Sequence, residues 1–131
     1  LIYAQDPSAD VLGTLLGHGV PGLVSKEING VQVYYSGAPM LSSAVLRGIA
    51  ARAGVHIYNF RDEATYANGK FLAIHTAEAG VRQIRLPRVT DVYDVYKGKV
   101  IARQTDRFSV ALPVRQTVFY FLGSEQERKG Q

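Results

Sequence analysis

The sequence predicts a mostly β chain of the α+β class: a strand hairpin and one helix, followed by a small antiparallel β-sandwich. Three observations carry this. An Asn29-Gly30 pair stands between two apolar runs. One stretch, Leu41 to Gly54, has the spacing of an amphipathic helix. From Val55 to Leu122 the pattern changes to period 2 in short runs separated by turn residues.

In chain order, VLGTLLG is a short apolar run broken by glycine. GLVSKEI and VQVYYSG then flank Asn29-Gly30, and both central residues of a type I′ turn need positive φ, which asparagine and glycine tolerate best. Leu23 to Ile28 should therefore pair antiparallel with Val31 to Tyr35. After the SGAP interruption, Ser42 or Ser43 can cap a helix. Val45, Leu46, Ile49 and Ala53 fall at the spacing of one buried face, Arg52 complements the helix dipole, and Gly54 supplies the left-handed stop. Gly48, inside this helix, predicts a close backbone contact on its side.

VHIYNF, ATYA, FLAIHT, VRQIRL, VTDVYDVY, KVIARQ, RFSVAL and QTVFYFL are rich in β-branched and aromatic residues and read as eight strands. Alternation assigns Ile84 and Leu86, then Phe108, Val110 and Leu112, then Val118, Tyr120 and Leu122, to inward faces. VFYFL is apolar on both faces, as a central strand or one covered by the helical part would be. The domain reading is a strand-hairpin-helix segment over 1–58, a β-sandwich over 59–123, and a polar, frayed tail over 124–131.

Composition narrows the function classes. With 47% apolar and 20% charged residues in 131, the chain can bury a core and lacks the signature of disorder. The net charge of +4 comes from arginines scattered from Arg47 to Arg115 rather than gathered in a stripe, so no nucleic-acid partner is expected. There is no cysteine for disulfides or thiolate metal sites, and compartment stays open. No apolar run reaches the roughly 18 residues of a membrane helix. LIYAQDPSAD reads like a strand-to-loop passage and the only methionine is Met40, which predicts a piece of a longer protein.

Catalytic patterns are missing. His18, His56 and His75 have no metal-ligand spacing, and strand-end hydrogen bonding is the expected role of His56 and His75. No serine sits in a G-x-S-x-G elbow, and the glycines of LGTLLGHGVPG form no phosphate cradle, so neither catalytic residue, metal nor cofactor is assigned. Asp62 and Glu63 read as a solvated turn. In DVYDVYKGKV, Asp91 and Asp94 are an odd number of residues apart on a strand and should point to opposite faces, which excludes a glycosidase-type carboxylate pair. Lys97-Gly98 reads as the turn of a hairpin. Tyrosine is the enriched type, and Tyr93 and Tyr96, expected on opposite faces, are the candidate ligand-binding residues for a carbohydrate or a neighbouring subunit.

The stretch PGLVSKEINGVQVYYSGAPMLSSAVLRGIAARAGVHIY resembles the end of the trimerisation domain of family 42 beta-galactosidases, where a Rossmann-like sheet finishes with a tyrosine strand and a helix ending in AGV. FLAIHT, RQIRLP, VYDVYKGKVI and RQTVFYFL resemble successive strands of the small C-terminal β-sandwich of the same enzymes. The resemblance implies that residues 1–58 are a remnant of the α/β domain. It also implies a non-catalytic accessory region that supports a catalytic domain or oligomer assembly, since those enzymes carry their two catalytic glutamates in a TIM barrel with no counterpart here. The implied partners are the rest of the parent polypeptide or a second copy of the chain; the alternative, a carbohydrate-binding module, rests on the tyrosines and not on the resemblance.

Overall fold

A computed structural model describes residues 1–130. The elements are β1 (Asp10–Thr14), β2 (Pro21–Ile28), β3 (Val31–Ser36), α1 (Ser43–Arg52), β4 (Ala64–Ala67), β5 (Phe71–His75), β6 (Gly80–Asp94), β7 (Lys99–Leu112), β8 (Thr117–Leu122) and α2 (Glu125–Lys129). They form two antiparallel sheets, of order β1-β2-β3 and β4-β5-β8-β6-β7. The chain divides into two compact units, Leu1–Leu46 and Arg47–Gln131, a division that falls within α1.

In the first unit the β2–β3 hairpin has the expected register, closing on Ile28 opposite Val31. Asn29 and Gly30 hold φ of 52° and 79°, the two positive values that a type I′ turn requires. Val24 and Ser25 are buried on β2, while β3 is mostly exposed.

The predicted caps of α1 are present. Ser42 accepts from the Val45 N–H through its side chain, Gly54 has φ 76°, and Gly54 and Val55 donate to the carbonyls of Ala51 and Ala50 in a Schellman closure. The buried face expected of this helix is not there. No residue of it is buried, Leu46 and Ala53 are exposed, and Val45 and Ile49 are only half-covered. Gly48 makes no close contact either, since a Cβ built on it meets only open space. Amphipathic spacing fixes where an apolar stripe points, not whether anything packs on it.

The sandwich takes the form of one bent five-stranded sheet. VRQIRL and VTDVYDVY are a single strand, β6, and KVIARQ and RFSVAL are a single strand, β7. Pro87 lies on β6 where the β6–β7 register shifts between Arg85 and Thr90, and Gln104 on β7 takes φ 44°. A proline without an N–H and a bulge in the facing strand bend a ladder without ending it. The bend brings Ile84, Leu86, Phe108 and Leu112 over Leu72 and Ile74 of β5 and Val118, Tyr120 and Leu122 of β8, with Val92 closing the same core. Val110 packs partly buried against it, as alternation predicts. Truncating any fully buried member, such as Ile74 or Ile84, costs about 2–5 kcal/mol. VFYFL is β8, in the middle of the sheet, with Val118, Tyr120 and Leu122 facing this core.

Two further expectations differ from the structure. VHIYNF is not a strand: only the Tyr58 carbonyl accepts a ladder-like bond, from Arg85 N–H, and Asn59 Oδ1 turns the chain by accepting from Arg61 N–H. The polar tail is not frayed over 124–130. Ser124 and Glu127 form a reciprocal capping box for α2, which closes at Gly130; the end of the predicted tail, residue 131, lies outside the described residues.

Candidate functional site

Most of the acidic groups, from which the chemistry of a site would come, are committed to structure, among them Asp94, Asp91 and Glu63. Asp94 is buried and accepts from Lys97 N–H at 2.9 Å, with Lys97 Nζ at 3.3 Å, so it pins the turn between β6 and β7. Asp91 lies on the opposite face, as its odd separation predicts. It accepts from the Gln104 N–H at 2.9 Å and side chain at 3.2 Å, and Arg103 stands at 3.4 Å. These bonds, the Gln104 amide first, hold its carboxyl below the usual range and fix the bulge of β7. The two aspartates of DVYDVYKGKV therefore brace one hairpin from its two faces.

Glu63 is not the solvated turn residue that the sequence suggests. Its carboxylate is 1% exposed and meets the fully buried Arg82 through two bonds, Nε to Oε1 at 3.1 Å and Nη2 to Oε2 at 2.7 Å. Asn59 donates to Oε1 at 2.6 Å, and the remaining guanidinium donors reach the carbonyls of Gly80 and Glu78. Arg82 lowers the Glu63 pKa and Glu63 raises that of Arg82. Parity on β6 places Arg82 inward, with Ile84 and Leu86, and only the paired carboxylate makes that position tolerable. Arg61 with Glu78 and Arg47 with Asp62 make a rim of further ion pairs near it.

Of the two histidines expected to bond at strand ends, His75 does so at the end of β5, whereas His56 bonds from a loop, since VHIYNF is not a strand. His56 Nε2 is 2.9 Å from the Arg85 carbonyl, and His75 Nδ1 is 2.9 Å from Thr117 Oγ1. Among the described residues no group of three or more His, Cys, Asp or Glu could hold a metal ion, and no helix is long and apolar enough to cross a membrane.

The two candidate tyrosines separate. Tyr93, on the outer face of β6, is half-buried, and the Arg128 guanidinium of α2 lies 4.1 Å from its ring centroid. Tyr96 is in the turn after β6 and 68% exposed, with its ring 6.2 Å from that of Phe119. The expectation that they point to opposite faces fails because alternation ends with the strand: Phe119 belongs to the outer face too, so both tyrosines serve one side of the sheet.

That outer face carries an aromatic surface, and sequence reading missed most of it. Tyr66 of β4 stands opposite Ala73 of β5, and Ala73 opposite Phe119 of β8. Phe71 stacks on Phe119 at 5.2 Å and 13° and meets Phe121 edge-on at 5.5 Å. Tyr66, Ala67, Asn68, Phe71, Ala73 and Phe119 line a shallow depression of about 240 Å³. Ala73 is its floor, because a lone methyl between larger rings leaves a hollow. Beyond it lie His75 and Thr117, exposed and bonded to each other. None of the outward residues of β4, β5 and β8 is charged. The available signal was at least one aromatic among the outward positions of each of ATYA, FLAIH and TVFYF: Tyr66, Phe71, and Phe119 with Phe121.

Comparison with known protein families, with curated proteins and with solved structures found no match.

Proposed function

We propose that this chain is a non-catalytic accessory region that holds carbohydrate on the outer face of its five-stranded sheet. The observation that carries the reading is the uncharged aromatic stripe Tyr66, Phe71, Phe119 and Tyr96 around the Ala73 hollow, with two of its rings, Tyr66 and Tyr96, about 70% exposed. A pyranose presents an apolar face of C–H groups and a rim of hydroxyls. Aromatic side chains match the face, and the neutral donors and acceptors at the edge match the rim. Asn68 is suitably placed: its oxygen accepts from Phe71 N–H, which leaves its amide to donate.

The neutrality of the face selects among ligands. A single-stranded nucleic acid would use the same rings but needs cations along its phosphates. Here eight basic side chains, among them Arg47, Arg61, Arg82, Arg103 and Arg107, are each drawn to a carboxylate. The residue patterns that resemble family 42 beta-galactosidases favour the same reading. On it, the first unit is the end of an α/β Rossmann-like domain, and the parent is a glycosidase-like protein whose catalytic domain or assembly this region supports.

Calorimetric titration of the whole chain with neutral oligosaccharides, galactosides among them, tests the binding. Saturable binding at micromolar to millimolar ligand, insensitive to salt, is expected. Absence of binding throughout that range, or binding only to DNA or RNA with a steep salt dependence, overturns it. Hydrolysis of any of these sugars by the pure chain overturns the non-catalytic part.

A further inference from the structure

The two sheets have four outer strands, and three of them are protected against pairing with another chain. β4 has only four residues. β1 opens with Asp10 and is irregular on both sides of Gly13. β7 carries Lys99, Arg103, Asp106 and Arg107 and the Gln104 bulge. Short length, charge and bulges are the usual ways in which an edge is blunted.

β3 has none of them. VQVYYS is six residues long, regular along its whole pairing with β2, and without charge, proline or glycine. Among the described elements β3 pairs with β2 alone. The closing pair of a two-residue hairpin exchanges both its hydrogen bonds, so the amides of Val31, Val33 and Tyr35 point to β2; the Gly37 N–H to Gly22 carbonyl bond keeps that phase. The N–H and C=O groups of Gln32, Tyr34 and Ser36 therefore point out of the sheet.

We propose that this edge pairs antiparallel with β3 of a second copy, joining two three-stranded sheets into one. The strand is complementary to itself. With Tyr34 facing Tyr34 across the two-fold, Gln32 faces Ser36 and every outward amide has a partner. Residues of equal parity then lie side by side, so Val33 stands beside the second copy's Tyr35. Both are partly exposed, and both line a depression of about 350 Å³ with Val24, Ile28 and Tyr3. No like charges meet along the seam, and the symmetry closes at two copies.

Sedimentation velocity and amide hydrogen exchange on the whole chain across a concentration series test this. The expected result is a reversible doubling of the 14.3 kDa mass, with Gln32, Tyr34 and Ser36 amides gaining protection as dimer forms. Gln32→Pro removes an outward N–H, and Val33→Lys puts charge on the seam. Each should weaken dimerisation at least tenfold while leaving the far-ultraviolet circular dichroism unchanged, and Gln32→Lys repeats the test should either of these unfold. A chain that stays monomeric, that grows without a dimer stage, or whose dimer survives all three substitutions overturns the proposal.

Discussion

Arg82 and Glu63 meet through two hydrogen bonds of 3.1 and 2.7 Å, and both side chains are excluded from water. Their burial is paid for by completeness: the carboxylate also takes the Asn59 amide, and the guanidinium also takes two backbone carbonyls. Removing one partner leaves an uncompensated charge in the interior. Arg82→Met or Glu63→Leu should each destabilise the second unit by about 3–5 kcal/mol, and the double variant should cost less than either, in chemical denaturation. Independent, additive losses would contradict this account of the pair.

Acid should act through the same carboxylate. Glu63 is held below its ordinary 4.5 by Arg82 first, and Asp91 below its ordinary 3.8 by the Gln104 amide first. A group depressed in the fold contributes its full stabilisation above its unfolded value and loses it as pH falls through the folded one. Stability should therefore be level above about pH 5.5 and fall below about pH 4.5. The fall should be shallower in a Glu63→Gln variant, and pH-dependent denaturant midpoints read it.

At high pH the sign reverses. Burial, with the Asp94 charge added, pushes the Tyr120 hydroxyl up to about 12 from 10.0. The folded state keeps a proton that the unfolded chain has lost, so stability should decline between these values. Absorbance of tyrosinate should show one of the eight tyrosines ionising last, together with unfolding. Its disappearance in Tyr120→Phe is the check.

Much of this architecture is legible from residue types. Asn29-Gly30 fixes the hairpin register, Ser42 and Gly54 the ends of α1, and alternation the inward faces of β6, β7 and β8. What escapes is set by contacts distant in sequence. Nothing near Arg82 in the chain announces that its carboxylate partner lies nineteen residues away, so a charged residue at an inward position reads as exposed. Pro87 reads as a break because local propensity cannot see that the bulge at Gln104 lets the ladder resume. The strand rule that sets Tyr96 opposite Tyr93 runs beyond the end of the strand, and a β8 that is apolar on both faces does not show which of its aromatic residues form a surface.

The hairpin that carries Tyr96 depends on Asp94. Asp94→Ala removes the acceptor of the Lys97 N–H and should cost about 1–3 kcal/mol, with faster exchange of the Lys97 amide. Sugar binding should weaken with it, since the turn sets where Tyr96 stands. Asp94→Asn, which keeps an acceptor oxygen, should recover most of both.

The outer aromatic face is tested most directly by comparing oligosaccharide affinity in three variants. Tyr66 and Tyr96 are exposed and outside the core, whereas the Tyr93 ring is covered by Arg128. Loss of stacking is worth roughly 0.5–1.5 kcal/mol per ring. Tyr66→Ala and Tyr96→Ala should each weaken binding several-fold and together more than tenfold, with Tyr93→Ala near wild type. Undiminished affinity in the Tyr66→Ala/Tyr96→Ala double variant would contradict the assignment of this face as the carbohydrate site.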